Sequence, residues 1–219
     1  MQQWEDSFRH KGLRRQLVEG LKSKGISSER VLEAMLAVPR HYFLDSALDQ
    51  YAYEDRAFPI GEGQTISQPY TVAYQSELLE VKPNQKILEI GTGSAYQATV
   101  LAQLGARVYT IERQRKLFDK VRLQYPFKGK YPALQFFYGD GYKGLPAYAP
   151  FDGILVTAAA PFIPEPLLEQ LKPGGHLVIP VNEGSAQRMK RIVKRPDGAL
   201  VEELYELFHF VPMVEGKNK

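Results

Sequence analysis

From residue 84 onward, short apolar runs alternate with stretches of helical spacing, and this alternation constrains the fold more than any other feature of the chain. The runs are Lys86–Ile90, Ala106–Ile111, Leu134–Tyr138, Gly153–Thr157 and His176–Val181. Among them lie helical stretches at Ala95–Leu104 and Gln114–Tyr125, a looser segment at 142–148, and Pro164–Leu171. Strands that alternate with helices imply βαβ units, a mostly parallel sheet and right-handed crossovers. Runs such as ILEI and GILVT are apolar on both faces, as expected of strands covered by helices on two sides. The chain's end differs: Met189–Lys194 and Glu206–Val211, joined by a turn at Pro196, Asp197 and Gly198, read as an antiparallel hairpin. The expected architecture is α/β, a doubly wound, mostly parallel seven-stranded sheet with N-terminal helices and an antiparallel C-terminal hairpin.

The N-terminal part reads as two helices, 5–25 and 28–38, with Leu13, Leu17 and Leu21 on one stripe and Val31, Leu32, Met35 and Leu36 on the other. The stretch 40–70 is turn-rich and lacks periodicity; a loop of that length in a compact domain is usually functional. With 219 residues, one domain is expected over 1–219. Its parts are N-terminal helices and an active-site loop (1–80), a βαβ core (84–181) and C-terminal strands (182–219).

Composition narrows the chemistry. The chain has no Cys, which excludes a disulfide framework, a thiolate metal site and a thiol nucleophile. Four His (His10, His41, His176, His209) are far apart in sequence without ligand spacing, so no metal site is expected. A net charge of +3 is too weak to argue for nucleic acid. The cluster Arg188, Lys190, Arg191, Lys194 and Arg195 reads as a solvated edge strand. The segment MQQWEDSFRHKG lacks a signal-peptide core, and no window approaches the ~20 apolar residues of a membrane span. A cytoplasmic monomer is therefore expected, with neither membrane nor nucleic acid as partner.

The densest signal is Glu89-Ile-Gly91-Thr92-Gly93-Ser-Ala95-Tyr96, directly after a strand and opening a helix. Glycines at such a turn let backbone approach a ligand, and the helix N-terminus offers free N–H groups. The sixth position, Tyr96, departs from the dinucleotide fingerprint, and no Gly-Lys-Ser/Thr loop occurs. Glu89, two places before the first glycine, suits a ligand with positive charge. S-adenosylmethionine carries an ammonium and a sulfonium and no phosphate. Glu112 ends the second strand, where a carboxylate can accept both ribose hydroxyls. Asp140, in Gly139-Asp140-Gly141, ends the third, within reach of an adenine amino group. Each acid alone has an alternative as a helix N-cap or turn residue; three at successive strand ends, beside the glycine turn, form a set.

With these residues the chain resembles the class I S-adenosylmethionine-dependent methyltransferases, and within them the protein-L-isoaspartate (D-aspartate) O-methyltransferases. The narrower resemblance rests on Val38-Pro-Arg-His41 with Phe43, Gly63-Gln-Thr-Ile-Ser-Gln-Pro69, Leu88-Glu-Ile-Gly-Thr-Gly93, Gly139-Asp-Gly141, Phe151-Asp152, Val156-Thr-Ala-Ala159, Leu171-Lys-Pro-Gly-Gly175 and Phe210-Val-Pro-Met213. It implies a Rossmann-like methyltransferase fold, S-adenosylmethionine as methyl donor, and damaged proteins or peptides containing isoaspartate as partners. The implied reaction methylates the free α-carboxyl of an L-isoaspartyl residue, with D-aspartyl β-carboxyls as a second possible acceptor. The ester re-closes to a succinimide that hydrolyses partly to normal aspartate, which initiates repair. The resemblance carries Ser67 over as the active-site serine, with Thr65, Ile66 and Ser67 binding substrate. Cofactor contacts carried over are Glu89, Gly91, Thr92, Gly93, Glu112, Asp140 and Gly141. Where the family usually has a third glycine, this chain has Ala95; a positive φ there would bring its Cβ against the cofactor.

A carboxylate nucleophile is ionised at pH 7, since carboxyl pKa values lie near ~4, so positioning outweighs base catalysis. The Ser67 hydroxyl is expected to aim one oxygen, and backbone N–H groups of its loop to hold the other. Tyr70, Tyr74 and Tyr96 are candidates for pocket walls, with plain packing as the alternative; His41 reads as structural, and Arg40 stands out beside it, with an ordinary ion pair as its alternative. Phe210–Met213 is expected to close one wall of the substrate site. Two other readings stay open: a class I methyltransferase for another carboxylate, small molecule or RNA base, and a cofactor-binding scaffold without catalysis.

Overall fold

The computed structural model describes residues 5–218; Met1 to Trp4 of the N-terminal segment and Lys219 lie outside the described residues. Two helices open it, α1 (Phe8–Ser23) and α2 (Glu29–Ala37), each begun by a serine whose hydroxyl accepts a backbone N–H: Ser7 from His10, Ser28 from Val31. Val38-Pro39 ends α2, because Pro disfavours helix in the residue before it. Two 3-10 turns follow, Arg40–Phe43 and Ser46–Tyr51. Then come an antiparallel hairpin, β1 (Phe58–Gly61) and β2 (Gln64–Ile66), and helix α3 (Pro69–Leu79) with Pro69 in its first turn. The remaining elements are β3 (Lys86–Ile90), α4 (Tyr96–Gln103), β4 (Arg107–Glu112), α5 (Arg115–Gln124), β5 (Leu134–Tyr138), β6 (Phe151–Val156), α6 (Glu165–Gln170), β7 (Leu171–Glu183), β8 (Ala186–Lys194) and β9 (Leu200–Phe208).

Seven strands form one sheet in the order β5-β4-β3-β6-β7-β8-β9. The first five are parallel, while β8 is antiparallel to β7 and β9 antiparallel to β8. Side chains alternate between two buried faces. Ile87, Leu155 and Val178 join Leu32, Val72 and Leu101 on one; Leu88, Ile90, Ile154 and Leu177 join Leu167 on the other. This two-sided burial is why the strand sequences are apolar throughout. The chain winds outward from β3 to β5, then returns to place β6 on the other side of β3. The crevice at that reversal, beyond the carboxyl ends of β3 and β6, is the natural ligand site of such a sheet.

Several expectations are corrected. The segment 142–148 is not a helix: turns and a 3-10 turn at Pro146–Tyr148 replace it. The Gln170 side chain supplies its hydrogen bonds, to Leu145 N and Lys143 O. The last strand is Leu200–Phe208 rather than 206–211, because the turn closes early through Arg195 N to Ala199 O. Strand β8 is not an edge strand, since β9 covers it. Its cations are paired rather than simply solvated, Lys190 with Glu202 and Arg191 with both Glu203 and Glu80. Two of the histidines, far apart in sequence, meet: His10 and His41 stack with ring centroids 3.8 Å apart, next to Asp6. Their nitrogens are engaged by Ser7, Asp49, Tyr53 and the Glu5 carbonyl, and both Asp6 oxygens accept from Arg14. The cluster is a polar clamp that fastens α1 to the segment carrying Arg40.

Candidate active site

Four strand ends build one wall. After β3 the turn is tied to β4 by Gly91 N and Thr92 N, which both donate to Ile111 O. Gly91 has φ of +98°, and a Cβ on it would lie 2.6 Å from Thr157 Oγ1. That threonine follows β6 and donates to the carbonyls of Ile90 and Gly91, 2.9 Å to each. At the end of β4, the Glu112 carboxylate accepts Gly93 N–H at 2.9 Å and Gln114 N–H at 2.8 Å. Burial raises its pKa, opposed by those backbone donors. After β5, Gly141 leaves room for Ile90, whose Cγ2 would lie 2.4 Å from an added Cβ. The other wall is the end of β2 and the residue after it, with Thr65, Ile66 and Ser67, and the tail at 211–214. The tail is bound across the strand ends by Ala159 N to Val211 O and Met213 N to Ala159 O.

Between these walls lies an open cleft of about 810 Å³, open solvent at its mouth included. A smaller cleft of about 330 Å³ adjoins it, lined by Ala57, Gln68, Thr71, His209 and Phe210. Thr65, Ser67, Thr157 and Val211 line both. The Ser67 hydroxyl, half-buried at this junction, has no hydrogen-bond partner among the described residues.

Eight of the ten predicted site residues therefore converge: Thr65, Ile66, Ser67, Gly91, Thr92, Gly93, Glu112 and Gly141 line the cleft. Glu89 and Asp140 lie behind it. Asp140 is buried and its Oδ1 accepts Tyr142 N–H at 3.0 Å. Glu89 is fully buried; its Oε2 accepts from Thr110, whose hydroxyl in turn takes the Thr92 hydroxyl proton. Its Oε1 has no partner, and desolvation pushes its pKa up to about 8. Tyr96 lines the cleft, whereas Tyr70 and Tyr74 pack against Phe208. The tail 211–213 forms a wall as expected. Ala95 does adopt a positive φ, +69°, yet its methyl is fully buried and does not line the cleft. The backbone strain is present; the expected intrusion into the cleft is not. Thr157 escapes the sequence reading because its role depends on β6 landing beside β3. Arg40's ion-pair alternative is corrected: it makes no ion pair with a described carboxylate and instead donates to the Ser67 carbonyl at 2.8 Å.

Comparison with known proteins shows the family. The family model described as protein-L-isoaspartate(D-aspartate) O-methyltransferase matches residues 12–218. A protein-L-isoaspartate O-methyltransferase of Flavobacterium johnsoniae is 54% identical over 214 residues, covering 98% of this chain and 100% of that protein. Its counterpart in Flavobacterium psychrophilum is 55% identical with the same coverage. Among solved structures, a protein-L-isoaspartate O-methyltransferase superimposes with a TM-score of 0.81 at 31% identity, covering 91% of this chain and 65% of that longer one. A putative protein-L-isoaspartate O-methyltransferase from Plasmodium falciparum, in complex with S-adenosyl-L-homocysteine, gives 0.78 at 26% identity, covering 94% and 98%. The matched segment holds every strand of the sheet and both clefts, and on that footing the chain belongs to the protein-L-isoaspartate(D-aspartate) O-methyltransferase family.

Proposed function

We infer that the family's reaction, methyl transfer from S-adenosylmethionine to the free α-carboxyl of an L-isoaspartyl residue, takes place where the two clefts meet. The observation that carries this is the unpartnered Ser67 hydroxyl at their junction, in the cleft that the glycine turn also lines. The larger cleft fits the donor: the backbone at Gly91 and Gly141 has no room for a Cβ, and Glu112 is held as an acceptor at the end of β4. Glu112 would take the ribose hydroxyls, the 91–93 turn the amino-acid end, and the Asp140-Gly141 corner the adenine. Glu89 would act from behind the turn, through Thr110 and Thr92. S-adenosylmethionine supplies a methyl group on a cationic sulfur.

The smaller cleft takes the peptide. Its carboxylate arrives ionised, so the chain's residues need to orient it and strip part of its water. Ser67 donates to one oxygen, and the half-buried walls exclude solvent. The reading includes action on damaged proteins in the cytoplasm by a monomeric, single-domain chain. The test is methyl transfer from labelled S-adenosylmethionine to matched peptides with isoaspartate or aspartate. Label enters only the isoaspartyl peptide, and Ser67→Ala lowers turnover about 10- to 1000-fold while S-adenosylhomocysteine affinity holds. Equal labelling of both peptides, or full turnover by Ser67→Ala, refutes it.

A further inference from the structure

Arg40 is one of the largest fully buried side chains among the described residues. A buried cation is expensive unless an anion pairs with it, and none does among the described residues. Asp55, a carboxylate whose charge acts on Arg40, is bonded instead to Lys24 at 2.6 Å and to Tyr70 N–H. The guanidinium instead donates to two carbonyls, Ser67 at 2.8 Å and Arg56 at 3.2 Å. It lies over the Tyr96 ring, 5.1 Å from the centroid, and its Nε has no partner. Desolvation lowers its pKa to about 10, so it is still charged at neutral pH. The 3-10 turn that carries it is clamped by its neighbour His41 against Tyr53 and the Glu5 carbonyl. Nothing in this arrangement is needed to fill the core; an apolar side chain of the same volume would do that without the desolvation cost.

The contact with Ser67 has a geometric consequence. In a trans peptide the C=O and the following N–H point in opposite directions. With the Ser67 carbonyl turned onto Arg40, the Gln68 N–H faces away from it. That N–H has no acceptor among the described residues. Ser67 and Gln68 both line the smaller cleft.

We propose that Arg40 is a positioning residue: it locks the Ser67–Gln68 peptide so that the Ser67 hydroxyl and the Gln68 N–H form a two-donor seat for the substrate carboxylate. Its charge, without an ion-pair partner among the described residues and one peptide behind the seat, favours an anionic occupant over a neutral one. Methylation removes the anion, so the same charge discriminates substrate from ester product. This rests on the assignment of Ser67 to the substrate carboxylate.

The experiment compares Arg40→Met, Arg40→Lys, Ser67→Ala and the Arg40→Met/Ser67→Ala double variant. Each is measured for kcat and KM with an isoaspartyl peptide and for S-adenosylhomocysteine affinity by calorimetry. The inhibition constant of the peptide's neutral α-carboxamide is measured alongside. Arg40→Met loses about 100-fold in kcat/KM, keeps S-adenosylhomocysteine affinity within threefold, and loses the preference for the anionic peptide over the amide. Arg40→Lys recovers the anion preference and part of kcat. In the Ser67→Ala background, Arg40→Met costs less than threefold more, because both act on one seat. If Arg40→Met does not fold, Arg40→Lys decides alone: at least a tenfold loss of kcat with cofactor affinity kept supports the proposal. Wild-type kinetics in either Arg40 variant, or parallel loss of cofactor affinity and activity, overturns it. A silent Ser67→Ala instead overturns the assignment of the serine.

Discussion

Glu89 makes a stability prediction that can be worked through in numbers. Its carboxyl is fully buried under the glycine turn, with one oxygen bonded to Thr110 and the other unpartnered. Burial, aided by the nearby Glu112 charge, holds the proton on the folded form to about pH 8, against an ordinary value of 4.5. The unfolded chain therefore ionises this group first. Between those two values the native state binds the extra proton, so stability falls as pH rises and levels off above about 8. Each factor of ten in proton affinity is worth about 1.4 kcal/mol. From pH 6 to pH 8 the wild type should then lose on the order of 2 kcal/mol from this group. Glu89→Gln keeps the shape and the acceptor for Thr110 but cannot ionise. The assay is urea unfolding of the two proteins, without cofactor, at half-unit steps from pH 5.5 to 8.5. The variant's stability should stay flatter by about that 2 kcal/mol, and the curves should cross or converge toward acid. Parallel curves would show that Glu89 is ionised in the native state, and the burial argument would be wrong.

The remaining predictions concern the turn and its supports. Gly91→Ala places a methyl 2.6 Å from Thr157 Oγ1 at a φ of +98°, so S-adenosylhomocysteine affinity by calorimetry should fall at least ~10-fold; unchanged affinity would remove the turn from the site. Glu112→Gln presents an amide donor to one of two backbone N–H groups, which should weaken cofactor binding by about tenfold while kcat at saturating cofactor is retained. Ala95 stands at φ +69° with a buried methyl. Relief of strain and loss of packing nearly cancel in Ala95→Gly, which should stay within about 1 kcal/mol of wild type. Ala95→Val should lose at least ~2 kcal/mol, and a melting curve that ranks Val above Gly would contradict the backbone reading.

The sheet was largely legible because its central strands are buried on both faces. Ile87 and Leu88 belong to different cores yet are both apolar, so a continuous run marks the strand wherever it lies in the sheet. The hairpin β1–β2 left no such mark. It is three to four residues a side, its turn is Gly61-Glu62-Gly63 at positive φ, and Glu62 conceals the turn from composition. Strand β9 was misplaced because its alternation is carried by exposed leucines and glutamates, Leu200, Leu204 and Leu207 among them, a pattern a surface loop can imitate.

The cofactor wall was legible for a different reason. Each of its residues ends a strand, so strand positions alone bring Gly91, Glu112 and Gly141 to one rim. Residues that act across the chain have no such local signature. Thr157 reaches the Gly91 carbonyl from 66 positions away, and Arg40 reaches Ser67 from 27. Sequence reasoning assigns such an arginine to an acidic partner, since that is how buried cations are normally satisfied. Only the folded chain shows that its partners are carbonyls. The same holds for Glu89, whose type suggested a direct contact and whose burial makes it a support behind the turn. Both side chains are fully buried, each with a polar atom unmatched. Local rules are broken most where function overrides stability, and here the breaches flank one cleft on two sides. If the pH series shows Glu89 costing stability and the Arg40 variants lose turnover without losing the fold, the two breaches have one cause: the molecule accepts buried, incompletely bonded ionisable groups where it must hold an anion against a cationic donor.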